Sequence, residues 1–533
     1  MRASNRSREA RAGTNWRWWF MTLGALVGSA QLLPEARSIV AEPGRAELRV
    51  TAIAHDSRAV MPGNVFVAVP GQHADGATFA PLAISKGAVA VVAESPAPAD
   101  MPAGSKVPWI QTANARLALA ELSAIFYGKP SEELTVVGVT GTNGKTTTTY
   151  LLAAVLDAAG LPCGRLGTVS VRTGPIPGDE IDASHTTPES NEVQRLLREM
   201  ATRGCKSCAM EVSSHALVLH RVASLRFAAA IFTNLTRDHL DFHGDMASYF
   251  EAKRRLFDLL PSGAPAIINL DDPRGAELAA YVSRPITFGI HRSADVRPES
   301  VQSTLDGLAF DVVTPGGRLS VRSPLVGWPN VYNILGVVAC ATALDIPSSA
   351  IELGLSQLDG VPGRFQVVSG SSDDVRVVVD YAHTDDALKN LLETARPLTH
   401  GRLITVFGCG GDRDRSKRPL MGAVAARLSD LVVLTSDNPR SEDPDRIIDE
   451  IKRGIVQPVD PSAPKRAGTP LIVQPDRRIA IEQAIRASRA GDVVLIAGKG
   501  HEKYQVIGDR TSPFDDVEVA RAALSQRRPA PHV

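Results

Sequence analysis

The chain has 533 residues, which corresponds to about three domains at roughly 100–200 residues per domain. Hydrophobic residues make up 44% and charged residues 22%, a globular balance that excludes disorder over most of the chain. The 58 basic residues equal the 58 acidic ones, and a chain without a basic excess is not expected to bind nucleic acid non-specifically. The five cysteines are too few and too scattered for a disulfide framework, which indicates a reducing compartment.

The first 45 residues resemble a signal peptide only in outline. Five arginines between residues 2 and 17 precede an apolar stretch over 18–33. Glycines and polar residues interrupt that stretch, it is too short to span a bilayer, and no clean cleavage site follows it. We favour a misassigned start, with the true chain beginning at Met21, and expect a cytoplasmic protein. No other run approaches about 18 apolar residues, so neither a transmembrane helix nor membrane binding is predicted.

Strand and helix patterns alternate through the rest of the chain. Strands are predicted at 65–69 and 88–93, a helix at 115–126, and a linker at 128–131. A strand at 134–139 is then followed by a glycine loop and a helix at 146–159, and the later strands are predicted at 228–233 and 266–269. Strands that alternate with helices predict a parallel sheet covered on both faces.

Beyond about residue 363, four predicted strands are each followed by a polar or glycine-rich motif. The strands are 375–379, 403–407, 431–434 and 493–497. The motifs are Asp-Tyr-Ala-His, Gly-Cys-Gly-Gly-Asp-Arg, Thr-Ser-Asp-Asn-Pro-Arg and Gly-Lys-Gly-His-Glu. Because ligands bind at the carboxyl ends of strands in open α/β sheets, these motifs are expected to line a site.

A phosphate-binding loop is the strongest motif. Residues 141–146 read Gly-Thr-Asn-Gly-Lys-Thr between a predicted strand and an amphipathic helix, which is the context that such a loop requires. Lys145 would neutralise the β- and γ-phosphates, and Thr146 would bind Mg²⁺. Glycines lie at 138 and 141, whereas the general pattern places the first glycine at 139. A glycine turn with a surface lysine is the alternative interpretation.

Two later stretches, 210–215 and 234–241, supply candidate metal ligands after short predicted strands. Mg²⁺ on a triphosphate prefers oxygen ligands, so Glu211 suits it directly, and His239 would add a nitrogen. His239 and His243 also have a spacing found in zinc sites, although such a pair is more often a solvated helix face. Cys205 and Cys208 form a single C-x-x-C, which we interpret as a buried, inert pair.

Five motifs in this order resemble those of the Mur ligases, the ATP-dependent amino-acid ligases of peptidoglycan synthesis. They lie at 141–146, 211–215, 234–241, 380–383 and 498–502. The resemblance covers nearly everything after about residue 46. It implies an α/β fold of three domains: a small N-terminal α/β domain, a central parallel-sheet ATPase domain with a P-loop, and a C-terminal Rossmann-like domain. The implied limits are 1–45 for the extension and 46–132, 133–362 and 363–533 for the domains that bind the UDP-substrate, ATP and the amino acid.

Within the family, the sequence is most similar to the members that add the third peptide residue. The implied substrates are UDP-N-acetylmuramoyl-L-alanyl-D-glutamate and meso-2,6-diaminopimelate, the implied cofactors are ATP and Mg²⁺, and the implied state is a monomer. Asp-Asn-Pro-Arg at 437–440 matches the diaminopimelate-adding form rather than the lysine-adding form. Diaminopimelate carries a distal carboxylate that lysine lacks, and a guanidinium binds a carboxylate in bidentate fashion.

The sequence leaves three alternatives open. The first is the lysine-adding form of the same ligase. The second is a folylpolyglutamate-type ligase, which shares the ATP-binding core, although the loop at 437–440 and the first region argue against it. The third is a nucleotide-gated binding protein without ligase activity.

The resemblance also implies roles for individual residues. For ATP they are Gly141, Thr142, Asn143, Gly144, Lys145, Thr146, Thr147, Asn330 and Asn333. For the UDP-sugar dipeptide they are His55, Ser57, Gln72, His73, Ala74, Thr186, Thr187, Ser213 and Arg221. For diaminopimelate they are Arg413, Asp437, Asn438, Pro439, Arg440, Gly498 and Glu502. For metal they are Thr146, Glu211, His239 and Lys253, and for catalysis Lys145, Lys253 and His239. Two residues depart from the family pattern, His185 in place of a common asparagine and Leu219 in place of a frequent glutamine.

Lys253 falls in the middle of an apolar helical stripe. The stripe is formed by Tyr249, Phe250, Leu256, Phe257 and Leu260. On the pattern alone, the stem of Lys253 would cover its apolar neighbours while the ammonium reaches solvent. The resemblance implies instead a buried lysine carrying a carbamate (N6-carboxylysine), since burial lowers a lysine pKa and a neutral amine captures carbon dioxide. That carbamate would be an oxygen ligand for a second Mg²⁺.

Overall fold

The computed structural model describes residues 21–31, 41–71, 75–98, 106–176, 178, 180–183, 185–370, 372–456 and 468–527. Three of the predicted substrate contacts, Gln72, His73 and Ala74, lie outside the described residues. Within these ranges, no helix has the length and apolar character needed to cross a membrane.

The N-terminal region contains a four-stranded parallel sheet. Its strands, in order across the sheet, are Ala52–Ala54, Asn64–Ala68, Ala90–Ala93 and Trp109–Gln111. The helix Ala115–Phe126 coincides with its predicted range and begins after Asn114, whose side chain accepts a hydrogen bond from the backbone of Leu117. The short helix Ala80–Ser85 covers part of the sheet.

Part of the predicted N-terminal extension belongs to this core. The strand Met21–Thr22 pairs with Arg49–Val50, and the helix Leu23–Ser29 follows it directly. Leu23 and Leu26 are fully buried in the hydrophobic cluster that includes the helix Ala115–Phe126. The boundary predicted at residue 45 therefore cuts through one hydrophobic core.

The central region is built on an eight-stranded sheet covered by helices on both faces, as predicted. Its strands, in order across the sheet, are Glu180–Asp182, Ser170–Arg172, Cys163–Leu166, Ser207–Glu211, Thr135–Thr140, Ala229–Phe232, Ala266–Asn269 and Pro285–Phe288. The first two strands are antiparallel additions at one edge, and the other six are parallel. One face packs against the helices Lys145–Ala158 and Trp328–Ala343, and the helix Ser348–Gln357 packs on the first of these. The opposite face packs against the helices Ser190–Thr202, Met246–Asp258 and Gly275–Tyr281.

The central region also contains two short helices and a small sheet. The short helices Ser214–Val218 and Leu240–His243 follow strands of the large sheet. A separate antiparallel sheet is formed by Arg297–Thr304, Gly307–Thr314 and Gly317–Ser323.

The C-terminal region is a six-stranded sheet between two layers of helices. Its strands, in order across the sheet, are Gln366–Val367, Arg376–Asp380, Val493–Ala497, Leu403–Phe407, Leu431–Leu434 and Leu471–Val473, and all but the first are parallel. The helices are Asp385–Ala395, Lys417–Leu428, Pro444–Val456, Arg477–Ala487 and Asp516–Gln526. A hairpin, Tyr504–Ile507 with Arg510–Pro513, follows the strand Val493–Ala497. The α/β fold with parallel sheets is therefore confirmed, and the predicted polar motifs all follow carboxyl ends of strands.

Candidate active site

A cleft of about 760 Å³ lies between the central and C-terminal sheets. The central sheet contributes the loop 142–147 and the strand-end residue Glu211 to its lining. The C-terminal region contributes Arg364 and the motif 380–383. Two motifs that lie more than two hundred residues apart in the sequence thus share one cavity.

The glycine loop connects the strand Thr135–Thr140 to the helix Lys145–Ala158. Gly144 precedes the helix in the left-handed region, with φ of 86°, and a Cβ there would lie 2.4 Å from Oδ1 of Asn333. Only glycine allows this close approach without strain. Asn333 in turn donates to Asn330 Oδ1 at 3.0 Å, so the two asparagines predicted for ATP lie buried beside the loop.

Two lysine ammonium groups converge on the carbonyls of this loop. Lys145 Nζ donates to the carbonyl oxygens of Gly141 and Thr142, at 2.9 Å each. Lys253 Nζ donates to the same Gly141 carbonyl at 2.8 Å. Lys253 is only 1% exposed, so its ammonium does not reach solvent as the helical pattern alone predicted. Burial lowers the pKa of Lys253 well below its ordinary value, and the nearby charge of Lys145 lowers it further.

Glu211 is a buried carboxylate at the end of the strand Ser207–Glu211, beside the glycine loop. It accepts a hydrogen bond from the hydroxyl of Thr146 at 3.0 Å, and it also accepts bonds from the Thr168 hydroxyl at 3.0 Å and the Thr168 N–H at 2.8 Å. The sequence analysis did not identify Thr168. It lies two residues after the end of the strand Cys163–Leu166, and a polar residue just after a strand end was a signal that could have pointed to it. Of the four predicted metal ligands, the structure places Thr146 and Glu211 in direct contact.

His239 lies in a group of aromatic rings beside the loop. Its ring centroid is 4.9 Å from that of His215, and its Nε2 is 3.4 Å from a carboxylate oxygen of Asp238. His243 Nε2 instead lies 2.9 Å from the hydroxyl of Ser214. Burial lowers the pKa of His215 and His243 to about 4, which keeps both imidazoles neutral at physiological pH. In the described ranges, no three His, Cys, Asp or Glu side chains form a group that could hold a metal ion.

The residues predicted for the muramoyl dipeptide form one connected group. The Thr187 hydroxyl donates to the backbone carbonyl of Glu211 at 2.9 Å, and the Ser213 N–H donates to that hydroxyl at 3.1 Å. Arg221 donates to the Thr187 carbonyl at 2.9 Å, and the hydroxyl of Thr186 lies 3.0 Å from that of Thr168.

The two residues that depart from the family pattern lie near this group in the sequence. His185 is exposed next to Thr186, and Leu219 is half-buried and ends the helix Ser214–Val218.

His55 and Ser57, predicted for the uridine diphosphate end, lie on the N-terminal region where it meets the central one. His55 Nδ1 lies 3.1 Å from Oδ1 of Asn191, on the helix Ser190–Thr202. Ser57 is buried in a short 3₁₀ turn. The pair Cys205 and Cys208 is buried and unbridged, as predicted.

Arg364 was not predicted from the sequence. Its guanidinium donates to the Thr146 hydroxyl at 3.4 Å and lies 4.6 Å from the ring centroid of Tyr381. It therefore links the glycine loop to the Asp-Tyr-Ala-His motif. The sequence offered no signal for this contact, because Arg364 follows a glycine at the start of the third region.

A second group lies at other strand ends of the C-terminal sheet and contains most of the predicted diaminopimelate residues. Asn438 Nδ2 donates to Glu502 Oε2 at 2.8 Å, which joins the loops 437–440 and 498–502. Arg440 donates to the carbonyl of Gly411 at 2.7 Å. Arg413 is exposed and donates to the neighbouring Asp412 carbonyl at 3.1 Å.

Comparison with known families gives three matches in the same order as the three regions. The descriptions are "Mur ligase family, catalytic domain" for residues 49–127, "Mur ligase middle domain" for 139–341 and "Mur ligase, glutamate ligase domain" for 363–500.

Two curated relatives carry the name UDP-N-acetylmuramoyl-L-alanyl-D-glutamate–2,6-diaminopimelate ligase. The one from Gloeobacter violaceus is 49% identical over 482 residues, 90% of this chain and 95% of the relative. The one from Solibacter usitatus is 46% identical over 507 residues, 95% of this chain and 98% of the relative. A solved structure of a ligase with the same name is 33% identical, has a TM-score of 0.65, and covers 95% of this chain and 99% of its own. The chain therefore belongs to the Mur ligase family.

Proposed function

We propose that this Mur ligase joins meso-2,6-diaminopimelate to the D-glutamate of UDP-N-acetylmuramoyl-L-alanyl-D-glutamate, driven by ATP. One observation carries the proposal: Asp437, Asn438, Arg440 and Glu502 lie together at strand ends of the C-terminal sheet. Two carboxylates and a guanidinium match an amino acid whose distal end carries both an ammonium and a carboxylate. The names of the relatives at 46–49% identity support the same substrates.

Two alternatives lose support. Lysine lacks the distal carboxylate that would use Arg440. A folylpolyglutamate-type ligase would not account for the match of residues 49–127 to the first Mur ligase region.

The proposed reaction forms an amide in two steps. The γ-carboxylate of D-glutamate attacks the terminal phosphorus of ATP, which yields an acyl phosphate and ADP. The amine of diaminopimelate, after losing a proton, attacks the acyl carbon, and inorganic phosphate leaves. When ATP binds, the ammonium of Lys145 would leave the loop carbonyls and bind phosphate oxygens instead. The guanidinium of Arg364 lies next to the same loop. Both cations would stabilise the negative charge that develops during phosphoryl transfer. Closure of the cleft between the two sheets would exclude water from the acyl phosphate.

The residues present fit a magnesium ion. The Thr146 hydroxyl and the buried Glu211 carboxylate, 3.0 Å apart beside the loop, are hard oxygen donors of the kind Mg²⁺ takes together with phosphates and water. When bound, Mg²⁺ would neutralise phosphate charge. His239 and Lys253, as N6-carboxylysine, are proposed as further ligands. Support for the modification comes from the burial of Lys253, whose lowered pKa raises the fraction of neutral amine able to capture carbon dioxide.

The first region, 46–132 together with the segment 21–29 that packs in its core, and the regions 133–362 and 363–533 are proposed to bind the UDP end, ATP with the muramoyl dipeptide, and diaminopimelate, respectively. A monomeric enzyme is proposed. Five free, buried cysteines support a reducing, cytoplasmic location.

Phosphate release tests the proposal. The purified protein, with ATP and Mg²⁺, should release phosphate at a sustained rate only when both the UDP-sugar dipeptide and diaminopimelate are present. Release that needs neither acceptor, or no release with both, would contradict it and would favour a nucleotide-gated binding protein.

A further inference from the structure

Lys499 is a fully buried lysine in the Gly-Lys-Gly-His-Glu motif. Lysine is rarely buried unless its ammonium is paired, because removing the charge from water costs free energy. The motif places this charge one residue after Gly498 and three residues before Glu502, both proposed to contact diaminopimelate.

The ammonium of Lys499 joins two separate loops. Its Nζ donates to Asn438 Oδ1 at 3.1 Å and to Glu502 Oε2 at 3.2 Å, and it lies 3.8 Å from a carboxylate oxygen of Asp437. The two loops follow the strands Leu431–Leu434 and Val493–Ala497, which are separated in the sheet by the strand Leu403–Phe407. Lys499 therefore bridges across an intervening strand.

This bridge leaves one oxygen of Glu502 available. Oε2 accepts hydrogen bonds from both Asn438 and Lys499, whereas Oε1 accepts none from a described residue. A carboxylate with one oxygen fixed by two donors has a defined orientation, and its second oxygen can accept a bond from a ligand ammonium.

The backbone at Gly498 fits the same arrangement. A Cβ at this position, where φ is 115°, would lie 2.7 Å from Oδ2 of Asp437. Glycine thus lets the second loop approach the first closely enough for Lys499 to reach both.

The charges of the bridge also match the ligand. Asp437 and Glu502 carry two negative charges and Lys499 carries one positive charge, so together they leave one negative charge for one ammonium of the substrate. Without the lysine, Asp437 and Glu502 would lose the cation between them; the buried Arg477 nearby is already paired with Asp516, so mutual repulsion of the two carboxylates would favour other side-chain positions.

We propose that Lys499 is a positioning residue for the amino-acid substrate: its ammonium holds Asp437, Asn438 and Glu502 in the arrangement that receives the amino acid. This inference rests on the proposed function, because it takes the C-terminal cluster as the diaminopimelate site. Lys499 acts through its neighbours, so its loss should weaken use of the amino acid and leave the phosphoryl-transfer step unchanged.

The experiment compares Lys499→Met and Lys499→Gln with the wild-type chain. Lys503→Met is the matched control, because Lys503 is an exposed lysine four residues away. Steady-state rates give the KM for meso-diaminopimelate, for ATP and for the UDP-sugar dipeptide. Separately, hydroxylamine replaces diaminopimelate as the nucleophile, attacks the acyl phosphate and releases phosphate, so hydroxamate formation reports the first step without the amino-acid site.

Both Lys499 variants should raise the KM for diaminopimelate at least tenfold while keeping hydroxamate formation and the KM for ATP within twofold of wild type. Lys503→Met should match wild type throughout. A diaminopimelate KM within twofold of wild type, or an equal rise in the KM for ATP, would overturn the inference. If the methionine variant unfolds, the glutamine variant, which keeps a hydrogen-bond donor, decides by the same criteria. Wild-type protein that forms no hydroxamate at all would instead contradict the proposed function.

Discussion

Arg440 offers the sharpest prediction about substrate choice. Its backbone is held on both sides, since its N–H donates to Val506 O at 3.1 Å and its carbonyl accepts from Gly508 at 2.7 Å. Nη1 donates to the Gly411 carbonyl at 2.7 Å, whereas Nε and Nη2 have no partner among the described residues. These two nitrogens lie on one edge of the guanidinium, which is the geometry for a bidentate bond to a carboxylate.

The size of the effect follows from that geometry. Removing one member of a buried, hydrogen-bonded charge pair costs about 2–5 kcal/mol, which corresponds to roughly 30- to 5,000-fold in kcat/KM. Arg440→Ala should lower kcat/KM for diaminopimelate within this range. Arg440→Lys should also lower it, because lysine keeps the charge but lacks the fork. The backbone of Arg440 has a left-handed φ of 52°. Alanine adopts this conformation no more easily than arginine does, so the substitution by itself does not make the loop more flexible.

The assay measures ligation rates with diaminopimelate and with L-lysine for the wild type and both variants. Any residual use of lysine should change little, since lysine has no distal carboxylate to lose a contact, and the KM for ATP should stay within twofold. Unchanged KM and kcat for diaminopimelate in Arg440→Ala would refute the assigned role. An equal loss with both amino acids would mean that Arg440 supports the loop rather than the distal carboxylate.

Three further predictions concern the loop, the buried lysine and the chain start. Lys145→Ala should abolish ligation while the circular dichroism spectrum stays unchanged. Activity within tenfold of wild type would contradict the role of Lys145 in binding phosphate. Lys253→Ala should be nearly inactive and partly rescued by formate; near-normal activity of that variant in carbon-dioxide-free buffer would exclude the carbamate. A chain beginning at Met21 should keep full activity, whereas Leu26→Ala, at a fully buried position, should lower the free energy of unfolding by about 2–5 kcal/mol in denaturant titration. An inactive Met21 chain would contradict the first of these two expectations, and an unchanged unfolding curve for Leu26→Ala would contradict the second.

The buried strands were predictable because they are short apolar runs bounded by glycine or polar residues. The strands Leu403–Phe407, Leu431–Leu434 and Val493–Ala497 coincide with their predicted ranges. The last two strands at one side of the large sheet, Ser170–Arg172 and Glu180–Asp182, were missed, since they are only three residues long and carry polar side chains. Such strands depend on pairing with a neighbour rather than on a pattern of their own.

Prediction of the site was limited in the same way. The glycine loop and the strand-end motifs were visible because each carries a local pattern with a chemical reason. The contacts of Arg364 and Lys499 were not visible in the sequence, because they join residues far apart in the chain. Arg364 contacts Thr146, 218 positions away, and Lys499 contacts Asn438, 61 positions away. For Lys253, the helical stripe alone favoured an ammonium that reaches solvent, the family resemblance implied a buried lysine, and the structure shows the burial.

Mass spectrometry of the ligation product shows directly which amino acid this ligase adds. The protein would be incubated with ATP, Mg²⁺, UDP-N-acetylmuramoyl-L-alanyl-D-glutamate and equal concentrations of meso-2,6-diaminopimelate and L-lysine. We expect one dominant product, heavier than the acceptor by one diaminopimelate less one water, formed with one phosphate released per product. A lysine adduct in equal or greater amount, or phosphate released without any product, would contradict it.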